Sequence, residues 1–537
     1  MAKKLLRIEW IILKLQDSED ILVDKIAKIL STPAKVVSNF EIVKKAIDSR
    51  DKKDILFVYS VNVKFDDRKI LSHISKKNIT RYKIRFVDSY IYKIQEINPD
   101  LVKYRPVIVG SWPSGLFAAL VLAKAWLNPL LIERGMDVDT RTQDVEDFFQ
   151  TGKLNTDSNV QFGEGWAGTF SDGKLYTWVN NPRTKYIFEE LILAWAPKEI
   201  MYDAHPHIGT DNLKFIVKKL REKIISLWWG VRFATCLTDI EIKNEKITAA
   251  IFNNTEKIPT DDLVLAIWHS ARDTYEMLYK NKLGMQQKTF AMWLRIEHKK
   301  ELIDHAQFGD ACTNNKLPTA SYKLVNHQEE DRSVYTFCMC PGWYIVAASS
   351  EKWKLAINGM SEYRQNSPMS NSALLVSVSP SDFGSDHPLA WIEFQRKREE
   401  KAFVAGWKNY NAPAQLVGDF LQNKASTKIA SMSTTYRPWI TLTSLDGCLP
   451  PYIISAIRKA IPFMDKKIKW FAHPDAILVW IESRSSSVVR LIRDEKFQSN
   501  IWGIYPAGEW AWYAGGIVSS AVDGLAVAES VIEKYKK

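Results

Sequence analysis

Six residues, Gly110-Ser111-Trp112-Pro113-Ser114-Gly115, have the spacing of a G-x-G-x-x-G phosphate turn, with tryptophan where the middle glycine belongs. In such a turn the first glycine permits the sharp bend and the second lets backbone lie against a diphosphate. The third lets the following helix pack closely on its strand. Glu133 stands 23 residues after Gly110. A carboxylate there would accept hydrogen bonds from ribose hydroxyls while the helix N-terminus faces the diphosphate. Arg134 follows it. The competing reading is a plain tight turn in any strand–helix–strand unit.

The elements around these residues have the periodicity such a site needs. Val107-Ile108-Val109 reads as a short buried strand, Leu116 to Ala125 as a helix, and Pro129 to Glu133 as a second buried strand, which makes one βαβ unit. The stretch DDLVLAIWHSARD, residues 261–273, resembles the strand and turn by which a chain leaves the first half of a two-part FAD fold. Ala507-Gly508-Glu509, then Gly515-Gly516 and a long helix of small residues, looks like the second flavin-binding segment of such folds. The three matches occur in the order the fold requires.

Other groups could carry chemistry. Arg484, Ser485, Ser486, Ser487 and Arg490 form a polar, cationic run ahead of the C-terminal segment, suited to an isoalloxazine edge or an anionic substrate group, or else to an ordinary ion pair. His298 in RIEH is an acid/base candidate because an unperturbed imidazole titrates near neutrality. A structural histidine is the competing reading, for His298 and for His269 alike. Cys338 and Cys340 would share one face of a strand. Their C-x-C spacing departs from the C-x-x-C of flavin disulfide reductases, so buried inert thiols are the favoured reading. No Cys/His spacing suggests a metal.

Composition sets the frame. At 537 residues, 46% hydrophobic and 25% charged, the chain reads as a globular protein of two to four domains. No apolar run reaches the roughly 18 residues of a membrane span. Arg7, Glu9 and Lys14 interrupt the apolar N-terminal stretch, which therefore reads as a strand. Five scattered cysteines argue against a disulfide framework and fit a reducing cytoplasm. Residues 1–104 hold 22 Lys and Arg against 14 Asp and Glu, so most of the net charge of +11 lies there. A solvated lysine-rich face is the favoured account of that excess. Residues 5–15 alternate like a strand, 17–30 have helical spacing, and two strand-like runs flank the turn Asp51-Lys52-Lys53. The expected division is a small basic α+β module over 1–100, a first dinucleotide-binding part over 101–284, an inserted α+β substrate domain over 285–490, and a C-terminal part over 491–537.

The strings RPVIVGSWPSGLFAALVLAKA, LIERGMDVDTRTQDVEDF, NVQFGEGWAGTFSDGKL, FCMCPG, NSALLVSVSPSDFGSDHPLA and ESRSSSVVRLIRDE resemble the FAD-dependent dehydrogenases of the NAD(P)/FAD-dependent oxidoreductase type. The resemblance covers nearly the whole chain. It implies a Rossmann-like, two-part FAD-binding α/β domain, with Gly110, Gly115, Glu133, Arg134, Gly163, Gly165, Gly168, Thr169, Gly508, Glu509 and Gly516 around the cofactor. Gly515 and the turn residues Trp112, Pro113 and Ser114 complete the set. It also puts Glu164, Asp172 and Lys174 beside the flavin. The expected function is oxidation or reduction of a small molecule with FAD carrying the redox step, and NAD(P)H is one candidate donor. An RNA-directed flavoprotein and a non-catalytic FAD-fold binding protein are the alternatives. No aromatic-and-basic RNA-reading motif is evident, which disfavours nucleic acid as a partner. Substrate and oligomeric state are left open.

One departure is systematic. Trp112, Trp126, Trp166, Trp195, Trp268, Trp293, Trp391, Trp510 and Trp512 stand where the family has glycine. An ordinary glycine share of about 7% would give roughly 38 residues, whereas the chain holds 23, with 20 tryptophans. The simplest common cause is a codon that means glycine in the source, such as UGA in a lineage that reassigns it, rendered as tryptophan. The alternative is true tryptophans packed in a core. An indole at position 112 should block FAD.

Overall fold

The computed structural model describes residues 4 to 536 apart from 38, 65–69, 89, 171–172, 176, 178–180, 228–229, 329–331, 485 and 509–515. Its central feature is a five-stranded parallel sheet. Strand β1 (Val107–Val109) leads through helix α1 (Pro113–Lys124) to β2 (Leu130–Ile132). Then come β3 (Gly230–Arg232), β4 (Leu263–Leu265) and, far along the chain, β5 (Ile504–Pro506), which is followed by helix α2 (Ile517–Glu533). The spatial order is β5-β4-β1-β2-β3, parallel throughout.

Short, wholly apolar strands suit a sheet covered on both faces. Val107, Val109, Leu130, Ile132, Leu263 and Leu265 point into one core, while Ile108, Leu131 and Val264 point into the other. The second core is closed by α1, α2 and the helices Arg183–Leu193 and Thr210–Ser226. Helix α1 begins three residues earlier than its periodicity suggests, because proline is well placed at the first helical position, where no N–H partner is needed.

Between β4 and β5 the chain leaves for a second domain through a narrow stalk, Met285–Gln287 paired antiparallel with Val489–Leu491. This domain is built on a seven-stranded sheet that is antiparallel except for one parallel pair, Ala412–Leu416 with Ile440–Leu442. Its two longest strands, Phe290–Lys299 and Met369–Val378, lie side by side. Helices Ala390–Ala405 and Pro451–Lys467 belong to the same region.

The N-terminal residues form a four-stranded antiparallel sheet in the spatial order Phe40–Asp48, Leu56–Lys64, Lys4–Lys14, Arg85–Asp88. Helix Leu22–Leu30 covers it after a 3-10 turn at Glu19–Ile21. That turn replaces the first part of the helix expected over 17–30, because the Ser18 side chain accepts from the Asp20 N–H and caps the shorter coil. Ile55, Phe57, Tyr59, Val61 and Val63 are buried at period two, and Phe65 lies outside the described residues. Among the described residues no helix is long and apolar enough to cross a membrane.

Candidate functional site

The C-terminal ends of β1, β2 and β4 meet at the turn between β1 and α1. Gly110 has φ +101°, and a Cβ there would lie 2.3 Å from the Ala266 carbonyl oxygen. A Cβ on Gly115 would lie 2.0 Å from the Gly110 carbonyl oxygen. Both positions are thus closed to any other residue, for the reasons a phosphate turn needs them.

Glu133 is buried and ties three loops together. Oε2 accepts from the Ser111 N–H (2.9 Å) and hydroxyl (2.7 Å), and Oε1 from the N–H groups of Gly135 (3.0 Å) and Gly163 (3.1 Å). The carboxylate reaches the turn, but its oxygens are engaged by the protein itself. Arg134 pairs with Asp273, lies over the Phe162 ring and donates to the Cys236 sulfur at 2.9 Å. Gly163 and Gly165 both have positive φ, and Thr169 is buried beside them, its hydroxyl donating to the Glu164 carbonyl. Gly168 sits in the short helix Trp166–Thr169.

The C-terminal segment closes onto the same turn. A Cβ on Gly508 would meet the Ser114 Oγ at 2.6 Å, and Asp523 in α2 accepts from the Gly508 N–H at 2.6 Å while pairing with Arg493. Gly516 caps α2. Glu509 and Gly515 lie outside the described residues, as do Trp510, Trp512 and Asp172.

The middle of the turn is filled. Trp112 is buried, and its ring lies 3.8 Å, centroid to centroid, from that of Trp268. The Trp268 N–H donates to the Gln161 amide oxygen at 2.9 Å. What remains among Val109, Gly110, Glu133, Arg134 and Ile267 is a cavity of about 40 Å³. Small-molecule sites are usually roughly 300–1,000 Å³. The surroundings therefore have the form of a dinucleotide site, while the residues at 112 and 268 do not admit one.

Several contributors escaped the sequence reading. Arg141 is fully buried and donates to the carbonyls of Asn159, Val160, Gly163 and Glu164, clamping the glycine loop. Burial lowers its pKa to about 9. Burial also pushes the Glu164 carboxyl up, to about 7, against the opposing pull of Arg221 at 3.3 Å. A buried cluster joins the two domains: Glu399 accepts from Arg272 (2.9 and 3.1 Å), Arg484 (2.9 and 2.8 Å) and the Ser483 hydroxyl (2.6 Å). Burial opposes ionisation of Glu399, but the two guanidinium groups outweigh it and hold the carboxyl far below its ordinary range.

The expected catalytic residues fall in different places. The Arg484 guanidinium is spent on Glu399 and on Ser350, so its charge is already balanced. Ser486 is half-buried next to the exit from the second domain, and Arg490 lies opposite Gln286 in the stalk. His298 is buried in the second domain, with Nε2 2.8 Å from the Phe471 carbonyl, and burial lowers its pKa to about 4. It is neutral near pH 7 and does not sit at the turn. His269 adjoins Trp268, and burial, reinforced by Arg484 and Arg272, keeps its pKa well below the ordinary value. Cys338 and Cys340 form no disulfide and have sulfurs 4.0 Å apart, and the Arg295 guanidinium lies 3.4 Å from the Cys340 sulfur. Among the described residues no three His, Cys, Asp or Glu side chains are grouped to hold a metal.

An uncharacterized protein of Clostridium beijerinckii is 46% identical over 533 residues, covering 99% of each chain. This chain belongs to that protein's family. Residues 289–485 match the family described as "FAD-dependent protein, C-terminal domain-like", which lies within the stalk-bounded second domain. Residues 6–64 match a domain of unknown function, DUF8436, within the N-terminal sheet. Distant likenesses among solved structures include flavin-dependent brominase Bmp2, at 11% identity over 80% of this chain and 79% of that one with a TM-score of 0.35. A variant of halogenase PltM in complex with FAD shows 10% identity over 80% and 70%, with a TM-score of 0.39. A geranylgeranyl bacteriochlorophyll reductase-like protein of Thermoplasma acidophilum shows 11% over 81% and 80%, with a TM-score of 0.35. The segment that matches a domain of FAD-dependent proteins thus accompanies a parallel sheet whose β1–α1 turn carries an indole.

Proposed function

We propose that the family to which this chain belongs consists of FAD-dependent oxidoreductases acting on a small molecule held between the parallel-sheet domain and the second domain. The observation that carries the reading is the convergence of the β1–α1 turn, Glu133 and the Gly508–Asp523 segment at one end of a parallel sheet, brought together from three distant parts of the chain. In open α/β sheets that end is where ligands bind. The match of residues 289–485 to a domain of FAD-dependent proteins supports the same reading. When bound, the flavin would supply the electron transfer. This chain's part is to orient it and to keep water from it.

With tryptophan at 112 and 268 the site is closed, so the chain with this sequence should be isolated colourless. The full-length Trp112→Gly/Trp268→Gly protein should bind added FAD, read as quenching of flavin fluorescence. Refusal of FAD by that folded double variant overturns the reading. Anaerobic bleaching of the loaded variant by NADH or NADPH would make the enzyme a nicotinamide-linked reductase. Bleaching by a substrate alone would make it a dehydrogenase or oxidase.

A second reading has one observation in its favour. The Trp112–Trp268 stack would be a sound plug if both residues are native, and the fold would then serve binding without a cofactor.

A further inference from the structure

Among the described residues six tryptophans, Trp10, Trp126, Trp195, Trp353, Trp407 and Trp470, have φ between +59° and +77°. This is the left-handed region, which glycine enters freely and bulky L-residues avoid. Asparagine, the non-glycine residue best suited to that region, appears there five times, fewer than tryptophan. All six indoles are also substantially exposed, from 48% to 77%, so no packing in a core compels the conformation.

Three of the six occupy one position in one motif. After α1, the Leu127 N–H bonds the Leu122 carbonyl and the Trp126 N–H bonds the Ala123 carbonyl. After the helix Arg183–Leu193, Ala196 bonds Leu191 and Trp195 bonds Ile192. After the helix Ala390–Ala405, Lys408 bonds Phe403 and Trp407 bonds Val404. Each is the paired 6→1 and 5→2 arrangement of a Schellman cap, and tryptophan holds the left-handed position that glycine normally takes. Trp10 has the corresponding role in a strand: the pairing of Lys4–Lys14 with Leu56–Lys64 slips between Ile8 and Ile11, and Trp10 lies in the slip with φ +63°. A left-handed glycine is the usual residue in such a bulge.

We propose that glycine stands at 10, 112, 126, 195, 268, 353, 407 and 470 in the protein made by its own translation machinery, and that the cleft at the β1–α1 turn is then open to the FAD diphosphate. At the six positive-φ positions the inference stands on backbone geometry alone. At 112 and 268 it rests on the flavin reading, since there the argument is the filled cleft. Three fully buried indoles, Trp343, Trp391 and Trp480, add a related sign: their N–H groups have no hydrogen-bond partner among the described residues, which is unusual for buried tryptophan.

The decisive measurement is peptide mass spectrometry of the protein from its native source. Glycine in the peptides covering 126, 195 and 407 is the expected result, and tryptophan there overturns the proposal. A recombinant arm uses the full chain. The Trp126→Gly/Trp195→Gly/Trp407→Gly variant should melt several degrees above the parent, because three strained caps become relaxed ones. A variant that melts at or below the parent overturns the argument from the caps. The flavin arm separates the two readings. Tryptophan in the native peptide covering 112 sinks this inference whatever FAD does. Glycine there, with no FAD uptake by Trp112→Gly/Trp268→Gly, confirms the inference and sinks the flavin reading instead.

Discussion

Glu133 and Glu164 lie close together in the fold, and different numbers of donors reach their carboxylates. Glu133 accepts from three backbone N–H groups and a hydroxyl. Glu164 receives one backbone N–H, from Val138, and the nearby Arg221 does not outweigh its burial. With a folded pKa of about 7 against an unfolded value near 4.5, the folded protein binds the extra proton between those limits. Stability from this group is therefore complete below about pH 4.5 and is lost as pH rises through 7. Replacing Glu164 by Gln should remove that slope. Urea midpoints at pH 5 should match the parent, and at pH 8 the variant should be the more stable by about 2–3 kcal/mol. Equal pH dependence in parent and variant would show that Glu164 is not the titrating group.

The turn between β1 and α1 depends on two glycines that the spacing of the motif already singles out. Gly115→Ala would drive a methyl group to 2.0 Å from the Gly110 carbonyl oxygen, which is backbone and cannot rotate away. The helix must shift off its strand, at a cost of about 1–3 kcal/mol. Thermal melts of the full chain measure it, and a neutral result would mean that α1 is not seated as described. The loop around Gly163 is a different matter. Its anchor, Arg141, sits on the helix Val138–Thr151 and offers its donors to four carbonyls of the loop. Carbonyls carry no mark in a sequence, so nothing in the pattern distinguished Arg141 from an ordinary surface arginine.

The two large domains are joined by the covalent stalk, by the cluster around Glu399, and by bonds from the Thr210 N–H to the Ser361 carbonyl and from the Tyr363 N–H to the Asp211 carboxylate. Arg272 comes from the segment after β4, Glu399 from a helix of the second domain, and Arg484 from the exit toward the stalk. Removing the carboxylate that bonds both arginines would leave two buried cations with the partly exposed Glu351, 2.6 Å from Arg272 and 3.9 Å from Arg484, as the carboxylate still beside them. Glu399→Leu should cost about 3–5 kcal/mol and loosen one domain against the other. Denaturant unfolding followed by two probes, one in each domain, should then show separate transitions where the parent shows one. Coincident transitions in a folded variant would show that the cluster does not couple them.

The order of the glycine turn, Glu133, the strand at 263–265 and the C-terminal return was legible in the sequence, because each is a local pattern: a bend that only glycine allows, a short apolar run, a carboxylate at a fixed distance. The excess of tryptophan was legible too, as composition and as position. What balances Arg484 and why His298 stays neutral were decided by contacts between residues about 80 to more than 170 positions apart, and which donors occupy the Glu133 carboxylate by loops up to 30 positions away. The left-handed φ of Trp126, Trp195 and Trp407 likewise becomes visible only when each helix ends and its last carbonyls find their donors. Local sequence fixes which turn or helix can form. The partner of a buried charge depends on how the chain returns on itself, and that information lies in the tertiary structure alone.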